Sequence, residues 1–145
     1  CSFSGMSLPG IIISPDIRVW YEVGPSDNTE ITGCTFEKCA MNGSAANLGA
    51  IVVKAAHDSG AADYHAGVHT NLRITDNSFK DIGSSGIFVS AAKGVTVTGN
   101  RFYDCKENKN PSVEDTDCDI VLCNCENIRI SGNKTERGIV VKSSN

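Results

Sequence analysis

Two stretches of the chain hold most of the side chains able to do chemistry: residues 14–28, SPDIRVWYEVGPSDN, and residues 54–70, KAAHDSGAADYHAGVHT. They contain the single Trp, two of the three Tyr and all three His. Trp20, Tyr21 and Tyr64 offer flat apolar faces for the C–H side of a sugar ring. Asp16, Glu22, Asp58 and Asp63, with His57, His65 and His69, offer hydrogen bonds to hydroxyls and candidate acid–base groups. A hydrolysing carboxylate pair needs a spacing of roughly 6.5–9.5 Å for inversion or about 5–5.5 Å for retention, which is a property of the fold. The plainer alternative is that the aromatic residues pack the segments onto the body and that the acids are solvated loop charges.

A metal reading is weaker. His57, His65 and His69 with Asp58 or Asp63 are suitable ligand types, but no helix aligns His65 with His69. The run Glu114-Asp115-Thr116-Asp117-Cys118-Asp119 supplies oxygens without EF-hand spacing and reads as an exposed acidic loop. No cofactor is expected, and a structural Ca²⁺ is the one ion left open.

What positions these segments is a repeat. The unit apolar–Ser/Thr–Gly/Asp–Asn/Cys–x–Phe occurs as Ile31-Thr32-Gly33-Cys34-Thr35-Phe36, Ile74-Thr75-Asp76-Asn77-Ser78-Phe79 and Val97-Thr98-Gly99-Asn100-Arg101-Phe102. A further copy, Ile130-Ser131-Gly132-Asn133-Lys134-Thr135, ends in Thr, and Cys1-Ser2-Phe3 is the tail of another. An apolar residue follows each aromatic at the same spacing: Met6, Cys39, Ile82 and Cys105. Each unit then reaches a second strand, beginning Gly10-Ile11, Gly49-Ala50, Gly86-Ile87, Asp119-Ile120 and Gly138-Ile139.

Short strands at a period in the low twenties, turned by Gly and Asn, predict an all-β fold: a single-stranded right-handed parallel β-helix of about four to five coils. Residues 1–145 form one domain that starts mid-repeat, so N-terminal coils are expected to be missing. Equal positions stack into ladders, with Asn77, Asn100 and Asn133 expected in a left-handed turn position and Cys1 and Cys34 as substitutes. Phe3, Phe36, Phe79 and Phe102 stack inside, and Thr135 ends the stack. The two long segments follow the second strand in consecutive coils, so they should share a corner and wall a groove.

Composition excludes little more. A formal charge of −4 with mixed signs offers no basic face for nucleic acid. No window approaches about 18 uninterrupted apolar residues, so no membrane span is expected. No signal peptide is visible. Seven cysteines lack zinc spacing. Those in ladder columns read as small buried hydrophobes, while Cys118, Cys123 and Cys125 leave one disulfide open.

GIIISPDIRVWYEVGPSDNTEITGCTF resembles a coil of the β-helical α-1,3-galactosidases through Trp20-Tyr21-Glu22-Val23-Gly24. VHTNLRITDNSF is similar to the following coil, through His69, Asn71, Leu72, Arg73 and Ile74. The resemblance covers roughly residues 1–105. It implies exo-acting removal of a terminal α-galactosyl residue by inversion, an oligo- or polysaccharide partner and an extracellular or periplasmic location. The family's adjacent aspartates before Asn-x-His are absent, so no residue takes its acid or base role. The chain is expected to be inactive alone and to resemble the C-terminal coils of a longer enzyme. A polysaccharide-lyase-type β-helix and a non-catalytic glycan-binding or adhesion β-helix are the alternative readings.

Overall fold

Short β-branched runs separated by Gly, Asn and Asp have too little length for helices and the right composition for strands. The computed structural model describes residues 1–15, 24–42, 48–55, 66–105 and 117–143. Among these the chain forms thirteen strands and no helix. β1 (Ser2–Ser4), β4 (Thr35–Glu37), β7 (Ser78–Lys80) and β10 (Arg101–Tyr103) make a first sheet. A second contains β2 (Ile11–Ile13), β5 (Gly49–Val53), β8 (Ser85–Ser90), β11 (Ile120–Cys123) and β13 (Ile139–Lys142). The third contains β3 (Glu30–Thr32), β6 (His69–Thr75), β9 (Ala92–Thr98) and β12 (Glu126–Ser131).

Every strand pair is parallel. The chain visits the three sheets in turn and returns one strand further along each, which is a parallel β-helix. Successive stacked partners are 33, 43, 23 and 33 residues apart, so coil length varies while register does not.

The core follows from strand alternation. Along β6, Leu72 and Ile74 are buried while Asn71 and Arg73 are exposed. Phe3, Phe36, Phe79 and Phe102 stack with ring centroids 5.0, 5.0 and 4.7 Å apart and planes within 8°. The bridge between Arg101 and Lys134 puts Thr135 next in that column. Facing the rings is a column of small residues, because a Cβ on Gly86 would run into the Phe102 ring. This column corrects the expected alignment: Ile11 pairs with Ile51, so Ala50 and not Gly49 stands opposite Gly10.

The asparagine ladder forms, but its backbone is not the left-handed one. Positive φ belongs to the preceding residues, Gly33 (61°), Asp76 (54°), Gly99 (69°) and Gly132 (65°). Those residues turn the corner, which frees each Asn amide to bond across coils. Asn77 N–H donates to Asn100 Oδ1 at 3.1 Å, and Asn100 N–H to Asn133 Oδ1 at 3.0 Å. Cys34 N–H donates to Asn77 Oδ1 at 2.9 Å.

None of the seven cysteines is in a disulfide, so the bond left open among Cys118, Cys123 and Cys125 does not form. Asp119 is another correction, for it is fully buried rather than in an exposed acidic loop. Its carboxylate accepts from Arg137 Nε at 2.8 Å and from the backbone N–H groups of Glu136 and Arg137.

Candidate functional site

The third sheet carries a second column with an unusual backbone. Asn28 (φ 55°), Asn71 (54°), Gly94 (74°) and Asn127 (52°) are all left-handed, just before or within the strands β3, β6, β9 and β12. Asn and Gly are the residues that adopt this conformation at least cost. The ladder skips each of them: Thr70 pairs with Lys93 and Leu72 with Val95, leaving Asn71 and Gly94 out of register contact. Each strand therefore kinks at the same place, and a cleft of ≈ 400 Å³ opens on the outer face.

Asn28, Thr29, Glu30, Asn71, Arg73, Gly94, Thr96 and Asn127 line it. Its depth comes from Gly94, which interrupts the Asn column: a Cβ there would lie 3.1 Å from Asn71 Oδ1. Beside it runs the outward column Glu30, Arg73, Thr96 and Arg129, each opposite the next in register. Glu30 and Arg73 are exposed, and among the described residues neither enters an ion pair.

The rim is held by Asp27. Its carboxylate accepts from the Thr70 hydroxyl, from Asn71 Nδ2 at 3.0 Å and from Asn28 Nδ2 at 2.8 Å. The Thr70 hydrogen bond, ahead of those from Asn71 and Asn28, holds this carboxyl below its usual range against a desolvation effect of opposite sign. The backbone repeats the tie, with Asn28 N–H on Thr70 O at 3.1 Å and Thr70 N–H on Ser26 O at 3.0 Å.

The two chemistry-bearing segments are flanked by stacked residues. Ile13 pairs with Val53 where they leave the second sheet, and Asp27 bridges Thr70 where they enter the third. Their described ends thus stack on one another, and the exits lead into the cleft's rim; the groove expected between the segments falls on residues outside the described ones. Asp16, Trp20, Tyr21, Glu22, His57, Asp58, Asp63 and His65 lie outside the described residues.

His69 is described, and it is fully buried. Nδ1 lies 3.2 Å from Ser26 N and 3.0 Å from Ser26 Oγ, and Nε2 lies 3.1 Å from Lys54 O. Both ring nitrogens are engaged by the protein, so the ring supports the site from beneath and offers no hydrogen bond to a solute. Among the described residues no group of three or more His, Cys, Asp or Glu could hold a metal ion. No helix among them is long and apolar enough to cross a membrane.

The cleft residues were written in the sequence as a third repeat: Asn28-Thr29-Glu30-Ile31-Thr32, Asn71-Leu72-Arg73-Ile74-Thr75, Gly94-Val95-Thr96-Val97-Thr98 and Asn127-Ile128-Arg129-Ile130-Ser131. The outward third position and the Asn/Gly first position carried the signal.

Comparison with known proteins agrees with this architecture. The family described as right-handed β-helix region matches residues 1–145. An alpha-1,3-galactosidase A of Bacteroides fragilis is 35% identical over 98 residues, covering 67% of this chain and 15% of that protein. One from Peterkaempfera griseoplana is 35% identical over 101 residues, 68% of this chain and 12% of that protein. One from Bacteroides thetaiotaomicron is 28% identical over 137 residues, 93% of this chain and 22% of that protein. The matched part thus amounts to between 12% and 22% of these relatives' length. With parallel sheets stacked in constant register and a family match along its whole length, this chain belongs to the right-handed β-helix family.

Proposed function

We propose that these coils bind a glycan in the cleft of the third sheet, as the substrate-holding part of a glycoside hydrolase acting on terminal α-galactosyl residues. The observation that carries the reading is the lining: amides, hydroxyls, one carboxylate and one guanidinium, neither charge in an ion pair among the described residues. Such a set offers paired donors and acceptors to sugar hydroxyls. The cleft crosses four strands, about 14 Å at the usual strand spacing, which suits a short oligosaccharide. The galactosidase relatives supply the sugar. Trp20 and Tyr21, with Asp16, Glu22, His57, Asp58, Asp63 and His65, are proposed as further contacts of the same ligand. An extracellular or periplasmic location goes with this reading, since glycans of this kind are met outside the cytoplasm.

Among the described residues of the lining, Glu30 is the only carboxylate. Hydrolysis by two carboxylates needs a second one across the scissile bond. The described cleft is therefore assigned binding, and the 145-residue chain is expected to hydrolyse no α-galactoside because its sequence lacks the adjacent aspartates that the resemblance calls for.

The test is Gly94→Asn. Asn tolerates the left-handed backbone, and its side chain would complete the column by filling the gap between Asn71 and Asn127. Calorimetric titration with an α-1,3-linked digalactoside should show binding weakened by about tenfold or more, a loss of at least about 1.4 kcal/mol, with an unchanged melting transition. Unchanged affinity in the folded variant would move the ligand elsewhere.

A further inference from the structure

We propose that His69 is a neutral latch under the cleft, and that its protonation in mildly acidic medium releases the rim and weakens ligand binding. The ligand half of this statement rests on the cleft reading above; the latch itself does not.

The tautomer follows from the partners. A backbone N–H can only donate, so the Nδ1 facing Ser26 N must carry a lone pair. A carbonyl oxygen can only accept, so the Nε2 facing Lys54 O must carry the proton. Only the neutral Nε2–H ring satisfies both. A second proton, on Nδ1, would displace the Ser26 N–H and leave the neutral Ser26 hydroxyl, 3.0 Å away, as its described acceptor inside a site with no exposure.

Nothing described around the ring compensates that charge. Among the described residues of the incoming segment the one carboxylate is Asp27, already engaged by Thr70, Asn71 and Asn28. From the end of β5 comes Lys54, through its carbonyl. On β9 the stacked neighbour is Ala92, followed by Lys93, which pairs with Glu126 at 3.7 Å. Beyond it lies Cys125, whose thiol burial pushes up to about 11 and so keeps neutral. Burial accordingly pushes the His69 imidazole below its usual range, outweighing the Lys54 carbonyl.

The ring's partners make this consequential. Ser26 immediately precedes Asp27, the residue that ties Asn28, Thr70 and Asn71 together at the rim. Lys54 opens the second chemistry-bearing segment. One imidazole therefore joins the end of one segment to the beginning of the other, and losing the Ser26 bond unseats the rim's anchor.

The sign is fixed by the direction of the shift. The folded-state pKa lies below the unfolded value of about 6.5, so the stabilisation is complete above that pH. It declines as pH falls below it and levels off beneath the folded pKa.

The experiment uses the 145-residue chain and His69→Gln, whose amide can accept from Ser26 N–H and donate to Lys54 O without titrating. Amide hydrogen exchange at Asn28 and Thr70, corrected for intrinsic rates, and digalactoside titration are both read at about pH 7.5 and about pH 5.5. The wild type should lose about fivefold or more in protection and affinity on acidification, while His69→Gln stays flat in both. A wild type that is flat in protection, or a Gln variant with the same pH dependence, overturns the latch. Absence of sugar binding at every pH overturns the cleft reading alone, and the exchange data still decide the latch. Should His69→Gln fail to fold, nitrogen NMR of the wild-type ring decides: a protonated Nδ1 at neutral pH overturns the assignment.

Discussion

Replacing Arg137 by alanine should destabilise the protein by about 3–5 kcal/mol, the cost of leaving a buried carboxylate without its partner. The Asp119 side chain has 0% exposure and that of Arg137 9%, so solvent cannot take over the charge. Arg137 also donates to Ser84 O at 2.6 Å, tying the first turn of one coil to the next but one. Denaturant unfolding measures the loss. The companion variant Asp119→Asn/Arg137→Ala should be less destabilised than Arg137→Ala alone, because the neutral amide still accepts from the two backbone N–H groups. A double variant worse than the single one would show that the pair acts through packing instead of charge.

Asn100→Ala should cost about 2–5 kcal/mol, since it strips partners from buried groups on both sides. Asn100 is fully buried and donates from Nδ2 to Ile74 O at 2.9 Å and to Asn133 Oδ1 at 3.0 Å. Its Oδ1 accepts from both the backbone N–H and the Nδ2 of Asn77. The amide orientation is settled by these partners, because a backbone N–H faces one end and a carbonyl the other. Asn100→Asp should recover little, as it keeps the acceptor but loses both donors. Thermal unfolding of the two variants checks the ranking; an Asp variant as stable as wild type would contradict it.

The ladders were legible in the sequence because parallel stacking puts like residue beside like, so Phe3, Phe36, Phe79 and Phe102 announce their register wherever coil length changes. What the repeat could not settle was the conformation inside it. Asn77 and Asn100 looked like the left-handed residues since Asn favours that state, yet the amide is worth more in the ladder and Asp76 and Gly99 take the turn. Gly49 looked like the partner of Gly10, but Ala50 is small enough to face the rings and the strand shifts by one.

Functional residues were harder to read for a related reason. Glu30, Arg73 and Asn71 are ordinary polar residues on separate strands, and they become a cleft only when Gly94 leaves a gap in the column between them. His69 and Asp119 advertised chemistry by type alone. Their burial comes from partners far along the chain, Ser26 and Arg137, which coil stacking brings beside them.

A nitrogen–proton NMR titration of the 145-residue chain with the same α-1,3-linked digalactoside locates the bound sugar directly. Saturable shifts should concentrate on Asn28, Glu30, Asn71, Arg73, Thr96 and Asn127, with the side-chain amides of the three Asn among the largest. Saturable shifts confined to the first or second sheet would put the sugar outside the cleft and overturn its assignment.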